Sequence, residues 1–194
     1  AVRALGPDKV VGIMLPEKDS SSDSELFAKE LADKFRVRAL KENITSALSG
    51  FKCYERRDEA VKRVFPEYDP ASYKMKIGIR QSGLFSNLPP VFNLTIIDPE
   101  GTQKDKILPV NEYLQIVAAS NFKQRTMMSM LYYHAEALHY AVVGTPNKHE
   151  QEQGFFVKYG DGAGDIMPIG NLYKTQVYQL AEYLGVPKSI IDRT

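Results

Sequence analysis

Between residues 145 and 176 the chain carries polar side chains in a pattern suited to a charged, phosphate-bearing ligand. Thr145, Asn147, His149 and Glu150 come first, then Lys158-Tyr159-Gly160-Asp161-Gly162-Ala163-Gly164-Asp165, then Leu172-Tyr173-Lys174-Thr175-Gln176. The three carboxylates Glu150, Asp161 and Asp165, with the Thr145 hydroxyl and a lysine, are the groups a metal-bound polyphosphate requires. Mg²⁺ takes one or two protein carboxylates and completes its octahedron with phosphate oxygens and water, while lysine offsets the remaining negative charge. The glycines at 160, 162 and 164 predict left-handed turns and the close approach of something polar. Asp161, Ala163 and Asp165 have the spacing of a calcium loop, but Ile166 stands where that loop needs glycine and no closing glutamate follows, so calcium is rejected.

These residues must be positioned by regular elements, which the hydrophobic pattern outlines. Residues 1–5 read as the last turns of a helix stopped by Gly6 and Pro7, so the chain is expected to begin in mid-element. Residues 9–15 (KVVGIML) suit a buried parallel strand ended by Pro16. Ser22 and Glu25 form an S-x-x-E capping box for a helix with Leu26, Phe27, Leu31 and Phe35 on its apolar face. From 37 to 90 the pattern blurs around a helix at 54–65, with Pro66, Pro70, Gly78, Gly83, Pro89 and Pro90 marking extended or loop structure. Residues 91–97 and 104–108 form a hairpin about Asp98-Pro99-Glu100-Gly101. Helices follow at 111–119 and 121–139, then a buried strand at 140–145 (YAVVGT), helical residues near 149–153, and a helix at 171–184 capped by Gly185.

Alternating strands and helices of these lengths predict an α/β fold, an open parallel sheet with helices on both faces and a central hairpin-containing insertion. Ligands of such sheets bind beyond the carboxyl ends of strands, which directs attention to the loops after Leu15 and Thr145.

Composition sets the limits. A chain of 194 residues, 43% hydrophobic, can bury one sizeable core, and a single domain is expected. Lys and Arg number 25 against 24 Asp and Glu, so no phosphate-neutralising field favours a nucleic acid partner. No segment approaches the ~20 apolar residues of a membrane span, and residues 1–6 lack a signal-peptide pattern. Cys53 has no disulfide partner, which points to a reducing compartment, and the cytoplasm is the expected location. Its neighbours Lys52 and Arg56 could activate the thiol, but no histidine accompanies it. His134 reads as a satisfied core residue and His139 as a helix-ending cation; His149, near the site, reads as supporting structure. The run Ser20-Ser21-Ser22 reads as loop and cap, with an adenine-side or phosphate-side role left open.

Val143-Gly144-Thr145, Glu150, the run from Gly154-Phe155-Phe156-Val157-Lys158 through Gly162, and Leu172-Tyr173-Lys174-Thr175-Gln176 together resemble the NAD synthases of the N-type ATP pyrophosphatase superfamily. The resemblance extends to Asn121-Phe122-Lys123-Gln124-Arg125 and to Leu184-Gly185-Val186-Pro187, and more weakly to residues 11–22. It implies a Rossmann-like, adenine nucleotide hydrolase-type fold, in which residues 42–101 are similar to an insertion of longer bacterial members. It also implies ATP-dependent amidation of nicotinic acid adenine dinucleotide to NAD through an acyl adenylate, with Mg²⁺, ammonia as the attacking nitrogen, whether free or released from glutamine, and a homodimeric assembly. Carried over by position, Thr145 and Lys174 match ATP contacts, Glu150 a magnesium ligand, and Arg125, Lys158 and Asp165 dinucleotide contacts; Asp161 lies in the same motif and orients substrate or loop.

The family's Ser-Gly-Gly-x-Asp-Ser phosphate loop is absent from these residues, as is a Pro-containing loop beyond Thr194, and Met127 stands where many relatives have a second arginine. The 194 residues alone are therefore expected not to turn over. A ligase acting on another carboxylate and a non-catalytic nucleotide-binding module are the competing readings. A phosphate loop upstream of Ala1 in the gene would favour the enzyme.

Overall fold

The computed structural model describes residues 1–80 and 91–193. The chain divides into two compact units, Ala1–Ala47 with Gln124–Thr194, and Leu48–Lys123. Gly83, Pro89, Pro90 and Thr194 lie outside the described residues.

The first unit opens with a short helix, α1 (Val2–Leu5), stopped at Gly6, whose φ of 86° is open to glycine. Strand β1 (Val11–Met14) leads through α2 (Ser22–Phe35) to β2 (Arg38–Lys41), which pairs parallel with β1, Val11 opposite Arg38 and Met14 opposite Lys41. A helix is the usual crossover between parallel strands. Backbone bonds from Glu42 to Met14 at 2.9 Å and from Ile44 to Pro16 at 3.0 Å prolong this pairing beyond the strands. β2 reads R-A-L-K, too short and too charged to stand out in sequence, and only the β1 partner makes it a strand.

The cap of α2 differs from expectation. Ser21 is the N-cap and its hydroxyl accepts the Asp23 N–H at 3.3 Å. The anticipated Ser22–Glu25 box does not form, because the Glu25 carboxylate is held by Lys29 and Lys41, each at 2.7 Å.

The second unit contains most of the core. After α3 (Thr45–Gly50), α4 (Cys53–Val64) and the residue that ends it, Phe65, pack Ala60, Val61 and the Phe65 ring against Leu94, Ile96, Leu108 and Ile116. β3 (Lys74–Arg80), β4 (Val91–Ile97) and β5 (Gln103–Ile107) form an antiparallel sheet in that order. The β4–β5 hairpin is as the sequence predicts. β3 is not anticipated, since Lys74, Lys76 and Gly78 interrupt the apolar signal.

Two expected helices are one, α5 (Val110–Leu138). Ser120 and Asn121 cost a helix only roughly 0.5 kcal/mol each, and no Gly or Pro enforces a break. The remaining helices are α6 (Lys148–Gln153), α7 (Lys174–Leu184) and α8 (Lys188–Ile191). α7 begins three residues later than its apolar pattern suggests. The expected strand at 140–145 is reduced to one parallel bridge, Val143 with Ile166.

Candidate functional site

α5 ends where His139 turns into the left-handed region, with φ 58°. The chain then runs extended, and residues 142–144 meet residues 164–167 backbone to backbone. Gly144 N–H donates to Ile166 O at 2.8 Å, and Asp165 N–H to Val142 O at 2.9 Å. A Cβ on Gly164 would lie 2.6 Å from the Gly144 nitrogen, so glycine is required for the crossing. A Cβ on Gly162 would sit 2.2 Å from the Phe156 ring. This corrects the expectation drawn from the glycines: within 160–164 only Gly164 has positive φ, and Tyr159 supplies the left-handed residue at 62°. What approaches these glycines closely is the protein's own chain.

A cavity of about 260 Å³ opens beside this crossing, lined by Thr145, Asn147, Glu150, Phe156, Asp161 and Lys174, among others. The sequence brings them there through local capping. Asn147 is the N-cap of α6; its Oδ1 accepts the Glu150 N–H at 3.2 Å, and its own N–H donates to Glu150 Oε2 at 2.8 Å. Asp161 Oδ1 accepts the Val157 N–H at 2.7 Å, closing the glycine-rich turn on itself. Lys174 is the first residue of α7, behind an N-cap at Tyr173 whose N–H donates to Gln176 Oε1 at 2.9 Å. The start of α6 is tied to this segment by Lys148 N–H donating to Leu172 O at 2.9 Å.

Lys174 in the lining and Lys148 beside it stand among the carboxylates Glu150, Asp161 and Glu152. The Lys148 ammonium stands 4.5 Å from the Tyr173 ring centre, and its pKa is raised, first by hydrogen bonding with Tyr173 and then by the charges of Tyr173 and Glu152. The His149 ring lies 4.9 Å from that of Tyr173. His149 lines an adjoining cavity that shares Asn147, Glu150, Phe155 and Lys174 with the first.

Arg125, Lys158 and Asp165 do not line this cavity. Arg125 Nε donates to Lys158 O at 3.0 Å, fastening the glycine-rich turn to α5. The Lys158 ammonium lies 5.0 Å from the Tyr159 ring centre. Asp165 accepts the Tyr132 hydroxyl at 3.1 Å on one oxygen and the Val142 N–H at 2.7 Å on the other. Burial, and then Asp165, push the Tyr132 phenol pKa up. The three-carboxylate constellation expected from sequence is thus not assembled: Glu150 and Asp161 line the cavity and Asp165 does not. Among the described residues no group of three His, Cys, Asp or Glu is arranged to hold a metal.

Nothing in the sequence singles out Tyr132, because a tyrosine on an amphipathic helix carries no signal that would find it. Asn147, three residues before Glu150, does carry one, because that spacing is a capping box. Elsewhere, His134 Nε2 faces Glu42 Oε2, Ser20 Oγ accepts the Glu17 N–H at 2.9 Å, and the buried Cys53 thiol points to Ala119 O at 3.4 Å.

Parallel pairing across a helical crossover, with a polar cavity beside the next chain crossing, places the chain among α/β proteins of Rossmann-like architecture, and solved structures agree. It is similar to an NMN synthetase from Francisella tularensis, at 25% identity and TM-score 0.61 over 95% of this chain and 54% of that one. It is also similar to a glutamine-dependent NAD+ synthetase from Acinetobacter baumannii in complex with ADP, at 21% identity and TM-score 0.63 over 100% of this chain and 28% of that one. The NAD synthase family profile matches residues 93–194, and the chain belongs to that family. Curated relatives include the NH3-dependent NAD+ synthetases of Rhizobium rhizogenes, 47% identical over 193 residues, and of Thermotoga maritima, 37% identical over 194. The chain spans 58% and 62% of those relatives' lengths, and they cover 100% and 99% of it.

Proposed function

We propose that this chain forms part of an ATP-dependent carbon–nitrogen ligase that converts nicotinic acid adenine dinucleotide to NAD. The nicotinate carboxylate attacks the α-phosphorus of ATP and pyrophosphate leaves, giving an acyl adenylate. Ammonia then attacks the acyl carbon, AMP leaves, and the surplus proton passes to solvent. The names of the curated relatives favour ammonia as nitrogen donor.

The observation that carries this reading is the meeting of Thr145, Glu150 and Lys174 in one cavity, within the stretch that matches the family. Lys174 offsets phosphate charge and Thr145 offers a hydroxyl to a phosphate oxygen. Arg125, Lys158 and Asp165 serve the dinucleotide, with Asp161 closing the glycine-rich turn through the Val157 N–H. The chemistry here is mainly positioning and charge neutralisation, since pyrophosphate and AMP are good leaving groups.

Mg²⁺ fits this donor set: two carboxylates, Glu150 and Asp161, line a polar cavity, and this ion is commonly held by one or two carboxylates plus substrate phosphates and water. When bound, it would neutralise the departing pyrophosphate. Glu150 would hold it through the oxygen that its bond to Asn147 leaves over.

We further read residues 42–101 as an insertion in a single NAD synthase-like domain, the protein as cytoplasmic, and residues 121–139 as a contact surface of a homodimer. The Met and Tyr content of residues 121–139 resembles interface cores. No helix among the described residues is long and apolar enough to cross a membrane. Sedimentation at micromolar concentration tests the dimer, and a strictly monomeric species removes it.

The test of function is NAD formation from nicotinic acid adenine dinucleotide, ATP and ammonia by a form of the protein that carries the Ser-Gly-Gly-x-Asp-Ser loop, with Glu150→Gln beside the wild type. Gln keeps the capping box but loses the charge, so kcat should fall by on the order of 10² or more while dinucleotide binding stays. Unchanged turnover at saturating magnesium removes Glu150 from the site.

A further inference from the structure

We infer that the outer edge of β3 is a docking site for an extended segment of a partner protein, one that alternates carboxylate and apolar side chains and adds to the sheet as a further strand. The inference is independent of the ligase reading and lies wholly within the second unit, Leu48–Lys123.

The sheet order is β3-β4-β5, and among the described residues β3 pairs with β4 alone. The register fixes which backbone groups β3 turns outward. Leu108 N–H donates to Phe92 O at 2.8 Å and Asp98 N–H to Thr102 O at 3.1 Å, so the even-numbered residues of β4 bond toward β5 and the odd-numbered ones toward β3. The partners of those odd-numbered residues include Lys74, Lys76 and Gly78, which leaves the N–H and C=O groups of Met75 and Ile77 on the outer side.

Beside that edge lies a cavity of about 320 Å³, lined by Met75, Lys76 and Ile77 of β3, Arg57 of α4, and Val117 and Lys123 of α5, among others. Met75 and Ile77 pack against the core, while Lys74 and Lys76 alternate with them and are exposed. A strand laid along β3 would set every second side chain against Met75, Ile77 and Val117, and the side chains between them beside Lys74 and Lys76. Charge chooses the occupant. Lys74, Lys76, Arg57 and Lys123 stand along this edge and its cavity, against the one carboxylate of Asp58, which holds Arg57 at 2.8 Å. A second copy of the chain would gather the lysines of both edges on one face, and like charges opposite each other destabilise paired strands. Edge lysines deter that self-pairing, whereas carboxylates on an incoming strand turn the same charges into attraction.

The experiment is fluorescence anisotropy of a labelled peptide of alternating Glu and Val, matched in length to the seven residues of β3, on the purified protein. Circular dichroism melting runs in parallel. We expect this peptide to bind and its Lys–Val counterpart to bind at least about tenfold more weakly. N-methylation of alternate amides removes the ladder donors from one edge of the peptide, so methylating one set should abolish binding and methylating the other should not. Lys76→Glu, at an exposed position, should weaken the Glu–Val peptide by about tenfold with an unchanged melting temperature, and Lys76→Arg should stay within roughly threefold of wild type. Failure of the Glu–Val peptide to bind at millimolar concentration, equal binding of the Lys–Val peptide, or indifference to both N-methylated sets overturns the proposal. So does a wild-type dimer in sedimentation that Lys76→Glu alters and the Glu–Val peptide leaves intact, since the edge then belongs to a second copy.

Discussion

Asp165 and Val142 are joined twice: the Asp165 carboxylate accepts the Val142 N–H at 2.7 Å, and the Asp165 N–H donates to the Val142 carbonyl at 2.9 Å. Side chain and backbone of one residue thus close on the backbone of another 23 positions earlier. The second carboxylate oxygen takes the Tyr132 hydroxyl from α5. The crossing beside the cavity is therefore pinned from three sides, by Asp165, Gly144 and Tyr132, before any ligand arrives.

Replacing Asp165 should show this in stability as well as in binding. Asp165→Ala leaves the Val142 N–H without its charged acceptor, and a loss of about 1 to 3 kcal/mol is expected in urea unfolding. Tyr132→Phe removes only the hydroxyl, and the expected loss is under about 1.5 kcal/mol. An Asp165→Ala protein as stable as wild type would mean that the clamp contributes nothing.

Gly162→Ala is expected to damage both fold and cavity. The added Cβ meets the Phe156 ring at 2.2 Å, so the ring must move, at a cost of about 1 to 3 kcal/mol. Phe156 lines the cavity, so ATP affinity should fall with thermal stability. Calorimetry on the folded variant checks the second effect separately from the first.

Lys158→Ala should weaken nicotinic acid adenine dinucleotide by about 1 to 3 kcal/mol and leave ATP nearly untouched. The lysine stands outside the cavity that holds Thr145, Glu150 and Lys174, over the ring of Tyr159. Titration calorimetry giving the reverse ranking would assign Lys158 to ATP.

Glu25 gives the structure a pH-dependent element. Hydrogen bonds from Lys29 and then Lys41 lower its carboxyl to about 2. A carboxylate with a depressed folded pKa contributes stability that is present above its usual value of 4.5 and is lost as pH falls toward 2. Glu25→Gln should therefore be less stable than wild type at pH 6, and the difference should close as the pH approaches 2. High salt should shrink it at every pH, because the groups are solvent-exposed. A gap that persists at pH 2 contradicts the assignment.

What could be read in the sequence was what the chain decides over a few residues. Gly6 and Gly185 encode helix ends and Asp98-Pro99-Glu100-Gly101 encodes the β4–β5 turn, each through hydrogen bonds or dihedrals that need no distant partner, and the Asn147-to-Glu150 spacing is a capping box of the same local kind, whereas the Ser22-to-Glu25 box expected from sequence does not form. Four of the seven candidate site residues, Thr145, Glu150, Asp161 and Lys174, line one cavity because they lie within 30 positions, on segments joined by such local bonds. Tertiary structure alone decided the rest. The R-A-L-K segment became β2 because β1 offered it a parallel ladder, and residues 140–145 failed to become a strand because their one partner is the irregular turn at Ile166. Asp165 left the expected trio of carboxylates because the crossing brought Val142 and Tyr132 within its reach. A carboxylate bonds whichever donors the fold delivers, and residues at fixed spacing in sequence do not say which those are.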